Sequence, residues 1–359
     1  MNFDTIANRV LSGREISREE GLRLLRGSGK EDGEIFALAR SLNEGLNGRK
    51  VTYVQNRNLN FTNVCALKCK FCAFCRDESH PQAFILTVEN LLRKIREAPG
   101  ITEVCVQAAI HPRLEIGYYV NLLHRIKEEH PHLHIHGISP QEVFSLSQKT
   151  GWPLERTIAA LMEAGWDSMA GTAAEILVER VRRKICPRKV SSRQWVEIVK
   201  TAHRLGLKST ATILFGHIES PQEILEHLTI IREIQHETGG FTEFVPLLFI
   251  PYSTRLGSEC SLSATASWNF IKRVYALSRI YLFPAFKNLQ TSWVKLGVER
   301  ALDALDVGAN DFGGTLFEEN ITRSAGGSSG EFLGVPEIRN NLIRKGKIPE
   351  ERTTLYGSV

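Results

Sequence analysis

The chain has 359 residues, of which 42% are hydrophobic and 24% charged, a composition typical of a globular protein with a large core. Its net charge of +5 is spread along the chain, and no basic run is long enough to predict a nucleic-acid or polybasic membrane site. No apolar stretch approaches a membrane helix, and the charged N-terminus lacks a signal-peptide core. We therefore expect a cytoplasmic protein with no nucleic-acid or membrane partner, whose 7 cysteines are reduced and available for metal binding or catalysis.

The N-terminal part of the chain is predicted to be helical. Apolar residues recur there at helical spacing, and Gly residues separate the segments. Ser17 followed by Glu20 predicts a capping box at the start of one helix. We therefore predict an N-terminal helical layer over residues 1–50 that caps the following domain.

From about residue 51, short apolar and β-branched runs alternate with amphipathic helical segments. This alternation predicts a parallel sheet, and eight such units predict an α/β fold, a (β/α)8 barrel of the TIM type over residues 51–320. Residues 321–359 are predicted to form a C-terminal extension packed on the barrel. The predicted strands lie at residues 58–63, 102–108, 133–139, 167–171, 208–215, 241–249, 287–293 and 310–315.

The strongest functional signal is the loop NVCALKCKFCAFC, directly after the first predicted barrel strand. Cys65, Cys69 and Cys72 have the spacing C-x3-C-x2-C, and three thiolates on one tight loop can bind three irons of a [4Fe–4S] cluster. The fourth iron is then open to S-adenosylmethionine (SAM), which chelates through its amino and carboxylate groups. Zinc is the alternative, because Cys75 adds a C-x2-C with Cys72, although no second cysteine pair lies downstream.

The pattern C-x3-C-x-F-C at the end of the first barrel strand resembles the radical SAM superfamily. The resemblance implies a barrel that binds the cluster and SAM and cleaves SAM reductively to a 5′-deoxyadenosyl radical. It implies that Phe71 lies beside the adenine and that Gln107 and Ala108 contact the SAM amino group. The segment ending at Glu219 resembles one that contacts the adenine. Ala108-Ala109 stands where the superfamily usually has Gly-Gly, and Ala restricts φ at that point.

Longer stretches resemble one subgroup over roughly residues 10–357, which serves menaquinone synthesis through futalosine and synthesis of FO, the deazaflavin chromophore of coenzyme F-420. RNLNFTNVC, HIHGISP and GTAAEI are among them, while GGFTEFVPL, NLQTSWVKLG and RTTLYG look most like the tyrosine-using subunits of FO synthase. LFIPYSTRLG, after the sixth strand, departs from that branch. Aminofutalosine synthase, which keeps the adenosyl group in its product, is one alternative. A non-catalytic metal-binding paralogue is another.

The resemblance to FO synthase subunits implies a transferase that acts on L-tyrosine and 5-amino-6-(D-ribitylamino)uracil. The adenosyl radical would take a hydrogen atom from the tyrosine amino group. The Cα–Cβ bond then breaks, and the 4-hydroxybenzyl fragment adds to C5 of the uracil. The resemblance also implies an electron donor and a partner radical SAM subunit that cyclises the product.

Polar residues near the strand ends are candidates for positioning these ligands. Asn58, Asn60 and Thr62 alternate along the first predicted strand, so they share one side and either reach the substrate or satisfy buried backbone groups. His134 and His136 likewise share a face of the third strand. We take His134 as a substrate contact and His136 as a catalytic residue.

Further candidates follow the later strands. Ser139 is a candidate for cofactor binding. Glu175 follows the fourth strand, where its carboxylate is suited to a ribose hydroxyl, an amine or catalysis, unless it only complements a helix dipole. His217, taken as catalytic, and Glu219, taken as cofactor-binding, close the fifth strand. The candidates for binding the uracil or ribityl group are Gln290, Ser292, Asn310 and Asp311.

Overall fold

The computed structural model describes residues 3–27 and 29–359. Three helices come first: α1 (Phe3–Leu11), α2 (Arg18–Arg26) and α3 (Asp32–Asn47). The predicted capping box is confirmed, because the Ser17 side chain accepts from the Glu20 N–H at 3.2 Å while the Glu20 carboxylate accepts from the Ser17 N–H at 2.7 Å.

Strands and helices alternate through the rest of the chain. The strands are β1 (Lys50–Val54), β2 (Asn56–Leu59), β3 (Glu103–Val106), β4 (His134–Gly137), β5 (Ser168–Met169), β6 (Lys208–Phe215), β7 (Phe241–Leu248), β8 (Asp311–Gly314) and β9 (Ile348–Glu351). The helices are α4 (Val88–Arg96), α5 (Ile116–Glu129), α6 (Pro140–Thr150), α7 (Leu154–Glu163), α8 (Glu179–Ile185), α9 (Ser192–Arg204), α10 (Pro221–Thr238), α11 (Arg255–Glu259), α12 (Trp268–Leu282), α13 (Trp293–Leu296), α14 (Val298–Ala304), α15 (Asn320–Ser324) and α16 (Val335–Arg344), with a 3₁₀ turn at Leu305–Val307.

The strands form a ring around the core. Strands β2 to β7 pair in parallel and in chain order, and β1 lies between β8 and β9 in a second parallel sheet. The segment 289–290 joins the two sheets, bridging to Phe244 on one side and Asp311 on the other. The ring closes where the Asn58 N–H donates to the Leu316 carbonyl at 2.7 Å. The predicted α/β barrel is therefore confirmed.

Most predicted strands are shorter than the pattern indicated, and the first and the seventh differ most in position or extent. The first was predicted over 58–63 but ends at Leu59, because Thr62 pairs with Ile85 instead of with a barrel strand. The seventh is reduced to isolated bridges. Strand β9 was not predicted, since its sequence Ile-Pro-Glu-Glu is a charged edge strand without hydrophobic alternation.

Close approach of neighbouring strands requires glycine at the end of β4. Gly137 has φ of +149°, and a Cβ there would lie 2.1 Å from the Val106 carbonyl oxygen of β3. Only a residue without a side chain fits this approach.

Helices from both ends of the described chain pack on the barrel. Helices α2 and α3 contact α12, and α2 also contacts α10. Helix α16 leads into β9, which lies along β1. We propose that the chain has three parts, residues 1–50, 51–320 and 321–359. In the described residues, no helix is both long enough and apolar enough to span a membrane.

Candidate active site

A cavity of about 400 Å³ runs along the barrel axis, from the loops at the carboxyl ends of the strands to residues near the C-terminus. In this fold, chemistry lies at the carboxyl ends of the strands. The candidates from the sequence that line this cavity are Asn58, Cys65, Cys69, Phe71, Cys72, Gln107, Ala108, His136, Ser139, Glu175, Gln290 and Ser292. The candidates outside its lining are Asn60, Thr62, His134, His217, Glu219, Asn310 and Asp311.

The cysteine loop lines the cavity at the end where the carboxyl ends of the strands lie. The Cys65 N–H donates to the Arg76 carbonyl at 3.2 Å, which closes the loop on itself. The Lys70 N–H donates to the Ile185 carbonyl at 2.8 Å, which ties the loop to the end of α8. Both bonds belong to the backbone and do not involve the thiols, and Cys65, Cys69 and Cys72 line the cavity.

The three thiols of the loop differ in their electrostatic surroundings. A hydrogen bond from the Cys75 thiol lowers the pKa of Cys65 to about 5, whereas burial raises the pKa of Cys69 and Cys72. Among the described residues, no three His, Cys, Asp or Glu side chains converge tightly enough to hold a single metal ion. Three cysteines on one loop are a donor set that would fit a [4Fe–4S] cluster, which takes thiolates from around a body larger than a single ion.

Glu175 reaches the cavity from a strained turn after β5. Ala173 and Glu175 have φ of 65° and 42°, in the left-handed region that residues with a side chain rarely adopt. The buried Arg182 braces this turn, because its guanidinium donates to the carbonyls of Ala173 at 3.2 Å and of Val190 at 2.6 Å. Backbone strain of this kind often occurs at functional sites.

Lys189 links this turn to the cysteine loop. Its ammonium forms an ion pair with the Glu175 carboxylate and lies 5.4 Å from the centre of the Phe71 ring. Burial is the largest single influence on Lys189 and disfavours its charged form, but Glu175, Cys69 and Cys186 together outweigh it, so the pKa of Lys189 is raised. A fixed positive charge therefore lies beside the thiols and the Phe71 ring.

The segment after β3 accommodates alanine where Gly-Gly is usual. The Ala109 N–H donates to the Thr62 carbonyl at 3.2 Å, and the Asn60 side chain donates to the Gln107 carbonyl at 2.7 Å. Neither Ala108 nor Ala109 is among the described residues with positive φ. The alanines therefore do not strain this backbone. Asn60 acts here on the backbone and not directly on the cavity.

The two histidines of β4 share a face, as predicted. His134 Nε2 and His136 Nδ1 both lie 2.8 Å from the Ser168 hydroxyl. Only His136 lines the cavity, and burial lowers its pKa to about 4, so its ring is neutral near pH 7.

The end of α6 that faces the cavity carries Ser139 and Glu142. The Ser139 N–H and hydroxyl donate to Glu142 Oε2 at 2.7 and 2.8 Å, so this serine caps the helix as well as lining the cavity. Burial raises the pKa of Glu142 to about 7. Sequence patterns did not single out Glu142, because a glutamate in a capping box is usually structural.

The lower end of the cavity is closed by the segment RTTLYG at residues 352–357. The Arg352 Nε donates to Asp311 Oδ2 at 2.5 Å, and Thr354 donates to Glu103 at 2.7 Å. The Tyr356 hydroxyl donates to Glu243 Oε2 at 2.5 Å. We name this set of polar contacts the barrel floor.

The barrel floor brings further acidic groups to the cavity. Glu243 also accepts from the Gln290 amide at 3.0 Å and lies 3.7 Å from the Arg352 guanidinium. Burial raises the pKa of Glu243 to about 7, although the charge of Arg352 lowers it. Glu103, Glu243, Arg352 and Thr354 line the cavity, and the sequence had marked RTTLYG only by resemblance.

The remaining candidates satisfy neighbouring groups. Asn310 Oδ1 accepts from Arg279 at 2.7 Å and from the Leu289 N–H at 2.8 Å, while Asp311 pairs with Arg352. Thr62 donates to the Phe84 carbonyl at 2.7 Å.

His217 and Glu219 shape the loop after β6. The Glu219 carboxylate accepts from the backbone N–H groups of Gly216 and His217, the latter at 2.9 Å. His217 Nε2 lies 3.0 Å from the Leu214 carbonyl oxygen. Both side chains thus interact with the backbone of their own loop, outside the lining of the cavity.

Known proteins match this chain along nearly its whole length. Residues 59–231 match the radical SAM superfamily, and residues 238–358 match the CofH/MqnC C-terminal region. The chain is 42% identical over 365 residues to the 5-amino-6-(D-ribitylamino)uracil–L-tyrosine 4-hydroxyphenyl transferase of Methanococcus aeolicus, with 99% of both chains covered. It is 44% identical over 352 residues to the protein of that name from Methanocaldococcus jannaschii, with 96% of this chain and 97% of the relative covered.

Solved structures share the fold. The FeFe-hydrogenase maturase HydG from Carboxydothermus hydrogenoformans matches with a TM-score of 0.73 at 17% identity, over 98% of this chain and 80% of that chain. Methylornithine synthase (PylB) matches with a TM-score of 0.67 at 18% identity, over 96% of this chain and 97% of that chain. These likenesses concern the fold alone. The similarity to the named relatives shows that the chain belongs to the radical SAM superfamily and, within it, to the family of 5-amino-6-(D-ribitylamino)uracil–L-tyrosine 4-hydroxyphenyl transferases.

Proposed function

We propose that this protein is an enzyme that fragments L-tyrosine between Cα and Cβ and transfers the 4-hydroxybenzyl group to 5-amino-6-(D-ribitylamino)uracil, a step in FO synthesis. The observation that carries the proposal is the cavity, in which three thiols of a C-x3-C-x2-C loop face an interior lined with polar side chains. The name and near-complete coverage of the relatives support this substrate pair.

In this proposal, Cys65, Cys69 and Cys72 hold a [4Fe–4S] cluster and SAM binds beside it. When bound, the cluster supplies the electron that cleaves SAM reductively. Phe71 packs near the adenine, and the backbone at Gln107 and Ala108 contacts the amino group of SAM. These roles follow from family resemblance, and all six residues line the cavity.

The Glu175–Lys189 pair would fix polar groups of the cofactor or substrate. Its carboxylate is held by a braced turn, so it can accept a hydrogen bond without rearranging. Ser139 caps α6 and presents that end of the helix to the cavity. Glu219 and His217 act at a distance, by shaping the loop after β6.

The substrates would occupy the deeper part of the cavity. Asn58, Gln290 and Ser292 are suited to the uracil or the ribityl hydroxyls, because amides and hydroxyls both donate and accept. The neutral ring of His136 can hold a proton on one nitrogen and accept on the other, so it can orient a reacting group.

Other predicted contacts support the site from behind. We propose that Asn60, Thr62 and His134 hold the strand ends in place, and that Asn310 and Asp311 anchor the barrel floor. A closed floor keeps water from the reacting groups, which radical chemistry requires. The proposed partners are an electron donor and a second radical SAM subunit that cyclises the product, in the cytoplasm.

The proposal is tested by anaerobic turnover of reconstituted protein with SAM, dithionite, L-tyrosine and the uracil, followed by mass spectrometry. We expect 5′-deoxyadenosine, methionine and a 4-hydroxybenzyl adduct of the uracil. Cleavage of SAM without an adduct would refute the substrate assignment, and the enolpyruvyl substrate of aminofutalosine synthase would then be tested for a product that retains adenosine. Colourless protein with stoichiometric zinc would instead support the non-catalytic paralogue.

A further inference from the structure

Two barrel helices begin with the same four residues. Ser-Pro-Gln-Glu occupies residues 139–142 at the start of α6 and residues 220–223 at the start of α10. In both helices, the serine side chain accepts a hydrogen bond from the glutamate N–H, and the glutamate carboxylate accepts one from the serine N–H. Because sequence and local geometry are the same, any difference between the two glutamates arises from their surroundings.

The glutamate of α10 has a cation beside it. Arg180 donates from Nε to Glu223 Oε1 at 2.6 Å and from Nη2 to Glu223 Oε2 at 2.5 Å. This pairing is the largest influence on Glu223, whose pKa is lowered to about 2. Both carboxylate oxygens of Glu223 therefore accept hydrogen bonds in a bidentate ion pair with Arg180.

The glutamate of α6 lacks such a partner, although it is more deeply buried. Glu142 is 2% exposed and lines the cavity. Both hydrogen bonds from Ser139 go to Oε2, and within the described residues nothing donates to Oε1. Lys189 acts on Glu142 through its charge, but its ammonium is bound to Glu175. When Glu142 is ionised, a buried carboxylate oxygen without a donor is strongly unfavourable, and a ligand that supplies a donor removes this cost.

We propose that Glu142 binds the α-ammonium group of an amino-acid ligand in the cavity. This inference rests on the proposed function, in which SAM and L-tyrosine both carry such a group. An ammonium group would give Glu142 both N–H donors and a positive charge. Arg180 gives Glu223 the same two things. The hydroxyls and amides of the uracil would satisfy the hydrogen bond but would leave the carboxylate charge unbalanced.

The test compares Glu142→Gln with unchanged protein, both carrying the reconstituted cluster. Binding is measured at equilibrium under anaerobic conditions for SAM, for L-tyrosine and for 3-(4-hydroxyphenyl)propanoate, which is tyrosine without its amino group. Glu223→Gln is the matched control, because it removes the same charge from the same capping box outside the cavity. We expect Glu142→Gln to weaken the binding of either SAM or tyrosine about 10- to 100-fold, and the ligand affected identifies the source of the ammonium.

The propanoate should bind equally to both proteins, and Glu223→Gln should bind every ligand like unchanged protein. If Glu142→Gln binds SAM and tyrosine as tightly as unchanged protein, the assignment of Glu142 is overturned while the proposed function stands. Equal weakening of all three ligands would also overturn it, because the change would then act through the shape of the cavity. Unchanged protein that binds neither amino acid would overturn both this site and the proposed function.

Discussion

Replacement of Arg352 by methionine should destabilise the barrel floor. Arg352 is 3% exposed, and its guanidinium contacts Asp311 at 2.5 and 3.3 Å and lies 3.7 Å from Glu243. Methionine fills much of the space of the arginine stem but supplies no charge. Three buried carboxylates, Asp311, Glu243 and Glu103, would then share the floor without the charge of the arginine.

The expected loss can be worked from these contacts. Removing one partner of a buried ion pair costs about 3–5 kcal/mol, because the other charge stays buried. Asp311 keeps hydrogen bonds from the Thr52 hydroxyl at 2.5 Å and the Gly313 N–H at 2.8 Å, so we expect a loss near 3 kcal/mol, the lower end of that range. For a chain of this size, such a loss lowers the melting temperature by about 4 °C.

Thermal unfolding of the reconstituted variant measures this loss. Arg344→Met is the matched control, since Arg344 pairs with Glu299 on the surface, where ion pairs contribute at most about 1 kcal/mol. Adding Asp311→Asn to the variant should recover part of the loss by removing one unpaired charge. The reasoning is refuted if Arg352→Met melts within about 1 °C of unchanged protein, or if the second substitution lowers stability by its full additive amount.

Three further outcomes are expected. Cys69→Ala should abolish the brown iron–sulfur absorbance and SAM cleavage, because two thiolates do not retain the cluster, whereas the exposed Cys260→Ser should retain both; full activity of the first variant would contradict the cluster assignment. Glu142 holds its proton to about pH 7 in the folded chain and to about 4.5 when unfolded, so its contribution to stability falls as pH rises between these values, by about 3 kcal/mol in total. The melting temperature of Glu142→Gln, minus that of unchanged protein, should therefore be higher at about pH 8 than at about pH 5. If this difference is the same at both pH values, the ionisation of Glu142 in the buried state is refuted. Gly137→Ala should cost more than about 3 kcal/mol or prevent folding, since its Cβ would meet the β3 backbone, while Gly117→Ala, with open space around it, should change the melting temperature little.

Local patterns in the sequence predicted the barrel and the cysteine loop. The strand and helix periods that predict the barrel depend only on residues close together in sequence. Cys65, Cys69 and Cys72 lie within one loop, so the spacing alone predicts that their thiols lie together. The shared face of His134 and His136 also follows, because β4 continues through both residues.

Features that depend on distant contacts were not predictable in this way. Asn60 and Thr62 alternate with Asn58 in sequence, but β2 ends at Leu59, so the alternation no longer sets their direction. The Arg352–Asp311 pair joins segments that no periodicity connects. Glu142 and Glu223 lie in identical tetrapeptides, and only the fold determines that one faces Arg180 and the other the cavity.

The pairing of β1 with β9 bears on the order in which the molecule folds. Lys50 lies opposite Ile348, so this edge of the barrel can form only after a very long stretch of chain has been brought together. Contacts of such high sequence separation form slowly, whereas the cysteine loop is tied to α8 by a contact between Lys70 and Ile185 inside the barrel itself. The end of the barrel that holds the thiols can therefore take shape while the opposite end is still open. We therefore expect the floor to join late, so that the cavity closes at that end only near the end of folding.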